Sequence, residues 1–175
     1  MKIALVYGFS TALVIALVNS FFFDLYGIEY EFVRTFSGFP PFIILAIGLF
    51  FAMKKTKKEV YKNDLNYGQA MYAGIVISAF TALGLGVINF FYYQFLNTNY
   101  AAEVIRIAVP EMNKNKFTTI QIAEQIAVIK DTYIPVNQLT GTFIVLLIAG
   151  IVFSAVISAV LRTKDTFTEI AKNKE

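Results

Sequence analysis

Residues 66–96 read NYGQAMYAGIVISAFTALGLGVINFFYYQFL, and the uncharged stretch around them runs from Leu65 to Ala102. A helix crosses a bilayer core with about 20 apolar residues, so this run spans with length to spare. Within it Ala70, Gly74, Ser78, Ala82 and Gly86 recur at every fourth position. At helical pitch they form one slowly turning stripe. A stripe of small residues lets a neighbouring backbone come close. Asn89 follows just beyond it. The spacing therefore predicts a transmembrane helix over 70–96 with a packing face.

The same pattern recurs on both sides. Residues 3–23 are uncharged and carry Gly8, Ala12, Ala16 and Ser20 at the same spacing. That run is too long for a signal-peptide core and leads into Phe21-Phe22-Phe23 rather than a small-residue cleavage site, so it is expected to stay in place as a first span. Residues 36–53 form the second expected span. Pro40 and Pro41 mark its start, where a missing backbone N–H costs least, and Gly48 and Ala52 are its small pair. Residues 139–161 form the fourth, with Gly150, Ser154 and Ser158. The expected fold is all-α: one integral membrane domain built as a four-helix bundle.

An extramembrane helical hairpin is expected over 97–138. Ala101, Val104, Ile105, Ala108 and Val109 fall on one helical face, with Asn97 or Asn99 as cap and Pro110 as the end or a kink. Asn113–Lys116 turns the chain. Thr118 or Thr119 then caps a second helix bearing Ile122, Ile126, Ile129 and Tyr133, which Ile134-Pro135 stops. Aromatic belts flank the spans: Tyr26, Tyr30, Phe32 and Phe36 in the first loop, and Phe90, Phe91, Tyr92, Tyr93 and Phe95 at the end of the third span.

Charge sets the expected topology. Lys54, Lys55, Lys57, Lys58 and Lys62 follow the second span, and the tail over 162–175 adds four more basic residues. With Lys2, ten of the fifteen basic residues lie on one side; Arg34, Arg106, Lys114, Lys116 and Lys130 lie on the other. The positive-inside rule then puts both termini in the cytoplasm. The lysine cluster is also suited to anionic lipid. The net charge of +3 is read as this topology signal, and no nucleic-acid partner is expected.

Composition narrows the chemistry. Hydrophobic residues make up 57% and charged ones 15%, against roughly 25% charged in soluble domains. There is no cysteine, which excludes disulfides, thiolate metal sites and cysteine nucleophiles, and no histidine, the commonest general base. No Asp, Glu, Lys, Arg or His falls inside an expected span, where proton relays would need one. Glu29, Glu31 and Asp24 lie in a short loop and read as solvated. No catalytic residue, cofactor or metal ligand is therefore expected. The polar residues within spans, Ser10, Thr11, Asn19, Ser78, Thr81, Asn89, Ser154 and Ser158, read as packing or interface residues. Asn19 and Asn89 are the pair a solute pathway would use.

A shift of 70 lays residues 10–26 over 80–96, with Thr11-Ala12-Leu13 on Thr81-Ala82-Leu83 and Asn19 on Asn89. This is read as convergence on one set of packing needs, with a parallel repeat of two hairpins as the alternative.

Tyr67, Gly68 and Ala70 at the start of the third span, and Asn97 with Tyr100 after it, complete a pattern. It has a basic start, a lysine-rich loop, a helical outer loop and a last Gly/Ser span. The whole chain resembles the domain of unknown function 4199 family, small four-span membrane proteins known mainly from Bacteroidota. Thr98 stands where members often carry proline. The resemblance implies a multi-pass protein of the bacterial inner membrane and brings no mechanism with it. The function expected is a non-enzymatic accessory or assembly component acting on membrane lipid, a second copy or another membrane protein. A small channel, transporter or holin-like pore is the alternative.

Overall fold

The computed structural model describes the backbone of residues 1–26 and 38–163, and the side chains of residues 1–19 and 38–163. The first-loop aromatics and acids, Ser20 and the tail over 164–175 fall outside the described residues. Six α-helices and one π-helical turn, with no strand, make up the described residues.

Helix α1 covers Lys2–Tyr26 and α2 covers Pro40–Glu59. Pro40 and Pro41 stand in the first turn of α2, the place where a proline ring needs no hydrogen bond. Helix α3 covers Tyr67–Phe91 and widens into a π turn over Tyr92–Leu96. Its start is set by a capping box: Asn66 accepts from the Gln69 backbone at 2.9 Å, and Gln69 accepts from the Asn66 backbone at 3.1 Å. Helices α4, Tyr100–Lys114, and α5, Thr119–Thr132, form the hairpin, and α6 covers Pro135–Leu161. Thr118 caps α5 through a second capping box with Gln121. Lys116 turns the hairpin with φ of 60°.

Two expectations are sharpened. Of the two roles read for Pro110, the end of α4 is ruled out, since the helix runs on to Lys114. Both Arg106, one turn back, and Pro110 are exposed, so the proline stands on the outer face of the helix. Pro135 opens α6 four residues before the expected start of the span, because a proline that stops one helix also suits the first position of the next.

Helix α3 touches all of α1, α2 and α6, and its contact with α6 is the most extensive in the molecule. That contact is a reciprocal fit. A Cβ on Gly74 would lie 2.6 Å from Ser154 Cβ, and one on Gly150 would overlap the Oγ and Cβ of Ser78. Each glycine thus receives the serine of the antiparallel partner. Farther along, Gly86 faces the Leu139 carbonyl, 3.0 Å from where its Cβ would be. Helix α1 runs parallel to α3: Gly8 lies against Ile77, Phe80 and Thr81, and Gly84 lies against Phe9 and Ala12. The stretches matched by the shift of 70 therefore lie side by side at nearly the same height. Helix α2 meets α1 where Gly48 takes in Thr11.

The large residues face the other way. Leu5, Phe9, Leu13 and Leu17 on α1, Ile43, Ile47 and Phe51 on α2, and Ile144, Ile148, Val152, Val156 and Val160 on α6 are all exposed, at intervals of four. A soluble bundle buries such residues; an exposed apolar surface this continuous marks a lipid-facing or interaction surface. Three helical stretches have the length and composition to cross a membrane: Lys2–Asn19, Tyr67–Leu96 and Pro135–Leu161. The uncharged part of α2 from Pro40 to Met53 is shorter, about 21 Å at ~1.5 Å per residue.

The Gly150 contact generates a paired test. Gly150→Ala is expected to cost about 1–3 kcal/mol through overpacking. Ser78→Gly in the same chain should recover most of that loss, whereas Gly141→Ala, with nothing within 4 Å of the new methyl, should be silent. Thermal unfolding in detergent, followed by loss of the monodisperse chromatographic peak, checks all three.

Candidate functional site

The packing residues read from the sequence converge on α3. Gly8, Ala12, Ala52, Gly74, Ser78, Ala82, Gly86, Gly150, Ser154 and Ser158 are buried, and Ala16 and Gly48 are partly so. Ser78 and Thr81 donate to the carbonyls one turn back, Gly74 at 2.8 Å and Ile77 at 3.0 Å. Their hydroxyls are thereby spent on their own helix. Between the two ends of the bundle, Ile15, Leu45, Leu49, Met53 and Ile77 fill the interior, each at most 1% exposed.

At the hairpin end of the bundle the polar groups gather. Asn89 donates to the Thr142 hydroxyl at 3.0 Å, tying α3 to α6. Asn19 and Asn89 line a small cleft of about 60 Å³ with Ala16, Tyr92, Tyr93 and Tyr100. The volume suits a few water molecules. The same two asparagines also border a larger groove of about 660 Å³ beside Phe42, Leu85, Asp131 and Thr142. So the structure brings the pair together, on the side of the bundle that carries α4 and α5.

A tyrosine cluster closes this end. The rings of Tyr93, Tyr100 and Tyr133 pack with centroids 5.4, 5.6 and 4.9 Å apart, and Tyr92 stands edge-on to Tyr93 at 5.3 Å. Tyr100 begins α4 and Tyr133 caps α5, so the two roots of the hairpin are pinned to the end of α3. The π turn widens the helix at Tyr92–Leu96, and its ladder ends with Asn97 N–H on the Tyr92 carbonyl at 2.8 Å. The Asn97 side chain also reaches the Tyr92 hydroxyl at 3.3 Å. Reading these residues as separate members of a belt and of an amphipathic face missed the cluster; the signal was the placement of a tyrosine at each hairpin root.

Burial raises the pKa of the Tyr100 phenol, with further increments from the charge of Tyr133, Tyr93 and Tyr92 and from its hydrogen bond to Tyr133. Burial also raises that of Tyr133, partly offset because its oxygen accepts that bond. Both stay neutral at any physiological pH. The site offers amides, hydroxyls and ring faces. No group of three or more His, Cys, Asp or Glu lies together among the described residues.

The lysine end is organised differently. Lys57 donates to the Leu161 carbonyl at 2.7 Å, where a cation favours the C-terminus of α6. Thr163 bridges: its N–H donates to the Leu65 carbonyl at 2.8 Å, its Oγ1 accepts from the Leu65 N–H at 3.0 Å and donates to the Asn63 carbonyl at 2.9 Å. Lys62 and Asn63 turn the chain with φ of 48° and 72°. Lys55 lies 3.6 Å from Glu59 and over the Tyr7 ring at 5.6 Å. Lys54, Lys58 and Lys62 are exposed. Of the five lysines read as one cluster, Lys57 thus has a structural task that the sequence did not disclose.

The tyrosine cluster predicts how the hairpin responds to pH. Because the docked phenols ionise above the ordinary value of about 10, the undocked state loses protons first. Docking is expected to be undiminished below pH 10 and to weaken as pH rises beyond it. Tyr133→Phe should flatten that dependence, and Tyr133→Ala should open the hairpin at neutral pH. Limited proteolysis within 97–138 reads both.

Neither the curated proteins nor the solved structures contain a match to this chain. A family model described as protein of unknown function (DUF4199) matches residues 2–163. The chain belongs to that family.

Proposed function

We propose that this is a four-span protein of the bacterial inner membrane, with both termini in the cytoplasm, that works as an accessory or assembly component through protein and lipid contacts rather than by catalysis. Helix α2 completes the bundle as the short span. Lys54 and Lys55 extend its reach, since long basic side chains lay their stems along apolar surface and keep the charge at the interface. The hairpin of α4 and α5 then stands on the outward side.

The observation that carries this reading is how the polar groups are used. Inside the bundle, Ser78 and Thr81 are committed to carbonyls of their own helix and Asn89 to Thr142 of α6, and the interior between the ends is filled. The hairpin, by contrast, is anchored at its roots and presents Phe117, Ile120 and Val128 to the surroundings. An exposed apolar surface on a rigid two-helix arm suits a partner protein or the membrane face.

The absence of cysteine makes both parts testable by single-cysteine labelling. Lys116→Cys is expected to react with a membrane-impermeant maleimide in intact spheroplasts, and Lys58→Cys only after permeabilisation; the reverse order overturns the topology. A cysteine crosslinker at Ile120→Cys, applied in cells, should trap a stoichiometric partner or a second copy. Uncrosslinked monomer at that position, together with a monomer in mild detergent, counts decisively against the accessory role.

A further inference from the structure

The lysine end holds a cleft that the packing does not use. It encloses about 420 Å³ between the start of α1, the end of α2 and the start of α3. Its walls change character along the bundle axis. Lys2, Thr56 and Glu59 form the mouth, and Ala4, Ala73 and Val76 form the depth. Ala4 is nearly buried, so the depth reaches the core, while Tyr72 at its side is 69% exposed and leaves the cleft open laterally. Both α1 and α3 are membrane-length helices here, so this lateral opening faces hydrocarbon.

The mouth is positive. Residues 54–62 carry five lysines and one glutamate, and Lys2 adds another cation. The single carboxylate lining the cleft, Glu59, is offset by Lys55 at 3.6 Å. Lys2 is the lysine that lines the cleft; Lys57 is engaged with the Leu161 carbonyl, and Lys54, Lys58 and Lys62 are exposed on the neighbouring α2 end, where they add to the positive field without lining it. A soluble anion would meet the mouth and leave the apolar depth wet. A zwitterionic lipid would fill the depth and gain little from the charge.

We propose that this cleft holds one anionic phospholipid of the adjoining leaflet, with its phosphate at Lys2, in the positive field of the exposed α2 lysines, and its glycerol and first acyl carbons against Ala4, Ala73 and Val76. This site rests on the membrane reading above and gives the lipid contact an address. The bilayer supplies the ligand laterally, past Tyr72. The lysine cluster then does more than mark the cytoplasmic side, because one molecule of lipid joins α1, α2 and α3 where their ends diverge.

The chain contains no tryptophan, so an introduced one is a clean reporter. Tyr72→Trp places it at the cleft; Val156→Trp places it on the exposed face of α6. The full chain is reconstituted in phosphatidylcholine vesicles with a minor share of phosphatidylglycerol, and one lipid or the other carries brominated acyl chains. Brominated phosphatidylglycerol is expected to quench the Tyr72→Trp reporter well above its mole share, while Val156→Trp follows the bulk composition. Lys2→Gln should reduce the preference at the cleft about five-fold, the equivalent of ~1 kcal/mol per basic residue near a surface. Ile3→Trp gives the same reading from the α1 wall if Tyr72→Trp fails to fold. Quenching in proportion to bulk composition at the cleft, or a preference that Lys2→Gln and Lys58→Gln together leave intact, overturns the lipid site while leaving the spans standing. Quenching of neither reporter by either lipid overturns the membrane reading itself.

Discussion

The structure depends on the reciprocal insertion of Ser154 at Gly74 and of Ser78 at Gly150. In lipid the hydrophobic effect does not press helices together, because acyl chains are as apolar as leucine, so association rests on close packing and a few polar contacts. Each serine hydroxyl occupies the direction a Cβ would take on the facing glycine, which places its oxygen over a glycine Cα–H. Such Cα–H···O contacts are worth ~0.5–1 kcal/mol each. Like Ser158 Oγ, Ser154 Oγ is buried without a conventional hydrogen-bond partner among the described residues. Its oxygen is turned to the neighbouring backbone rather than to the carbonyl one turn back, as Ser78 is.

From that contact the rest of the bundle is laid out. With one face of α3 given to α6, a second face takes α1 through Gly8 and Gly84, and α2 fills the angle beside them with Leu45, Leu49, Ala52 and Met53. On α1, α3 and α6 the glycine, alanine and serine stripes turn inward and most large residues turn outward. That inversion of the soluble pattern explains why these helices show no sharp apolar stripe: they are apolar all round, and side-chain size carries the information.

Size was therefore what the sequence could be read by. The stripes at 8–16, 74–86 and 150–158 located the buried faces because a period of four in Gly, Ala and Ser has a direct packing meaning. What stayed hidden was what depends on distant partners. Nothing local to Lys57 says that it will meet the Leu161 carbonyl, 104 residues away, and nothing local to Tyr100 says that Tyr133 will return to it. The Asn66–Gln69 capping box was legible in principle, as a residue pair with a mechanism, and it explains why α3 begins at Tyr67 and not at Ala70. Pro110 was read as an end or a kink, and a helix that runs through it to Lys114 removes the first of these, a choice that residue type alone does not make.

A stripe that repeats every four residues invites slippage, since a one-turn shift brings small residues against small residues again. The order of glycine and serine along α3 and α6 resists it. In the observed antiparallel register Gly74 meets Ser154 and Ser78 meets Gly150. Sliding α6 by one turn in one direction sets Ser78 against Ser154, with no glycine to receive either side chain. Sliding it by one turn in the other direction sets Ser78 against Leu146, which is buried in the observed register. Both shifts would force the backbones apart and lose the close approach that association in lipid relies on. The two ends reinforce the choice by different means. At one end Lys57 fastens α6 to α2 and Thr163 fastens it to the loop before α3, and Asn89 fastens it through Thr142 near the other. A slip of one turn, 5.4 Å, would break all of these at once, so the register is held by steric exclusion along the stripe and by hydrogen bonds where the helices leave it.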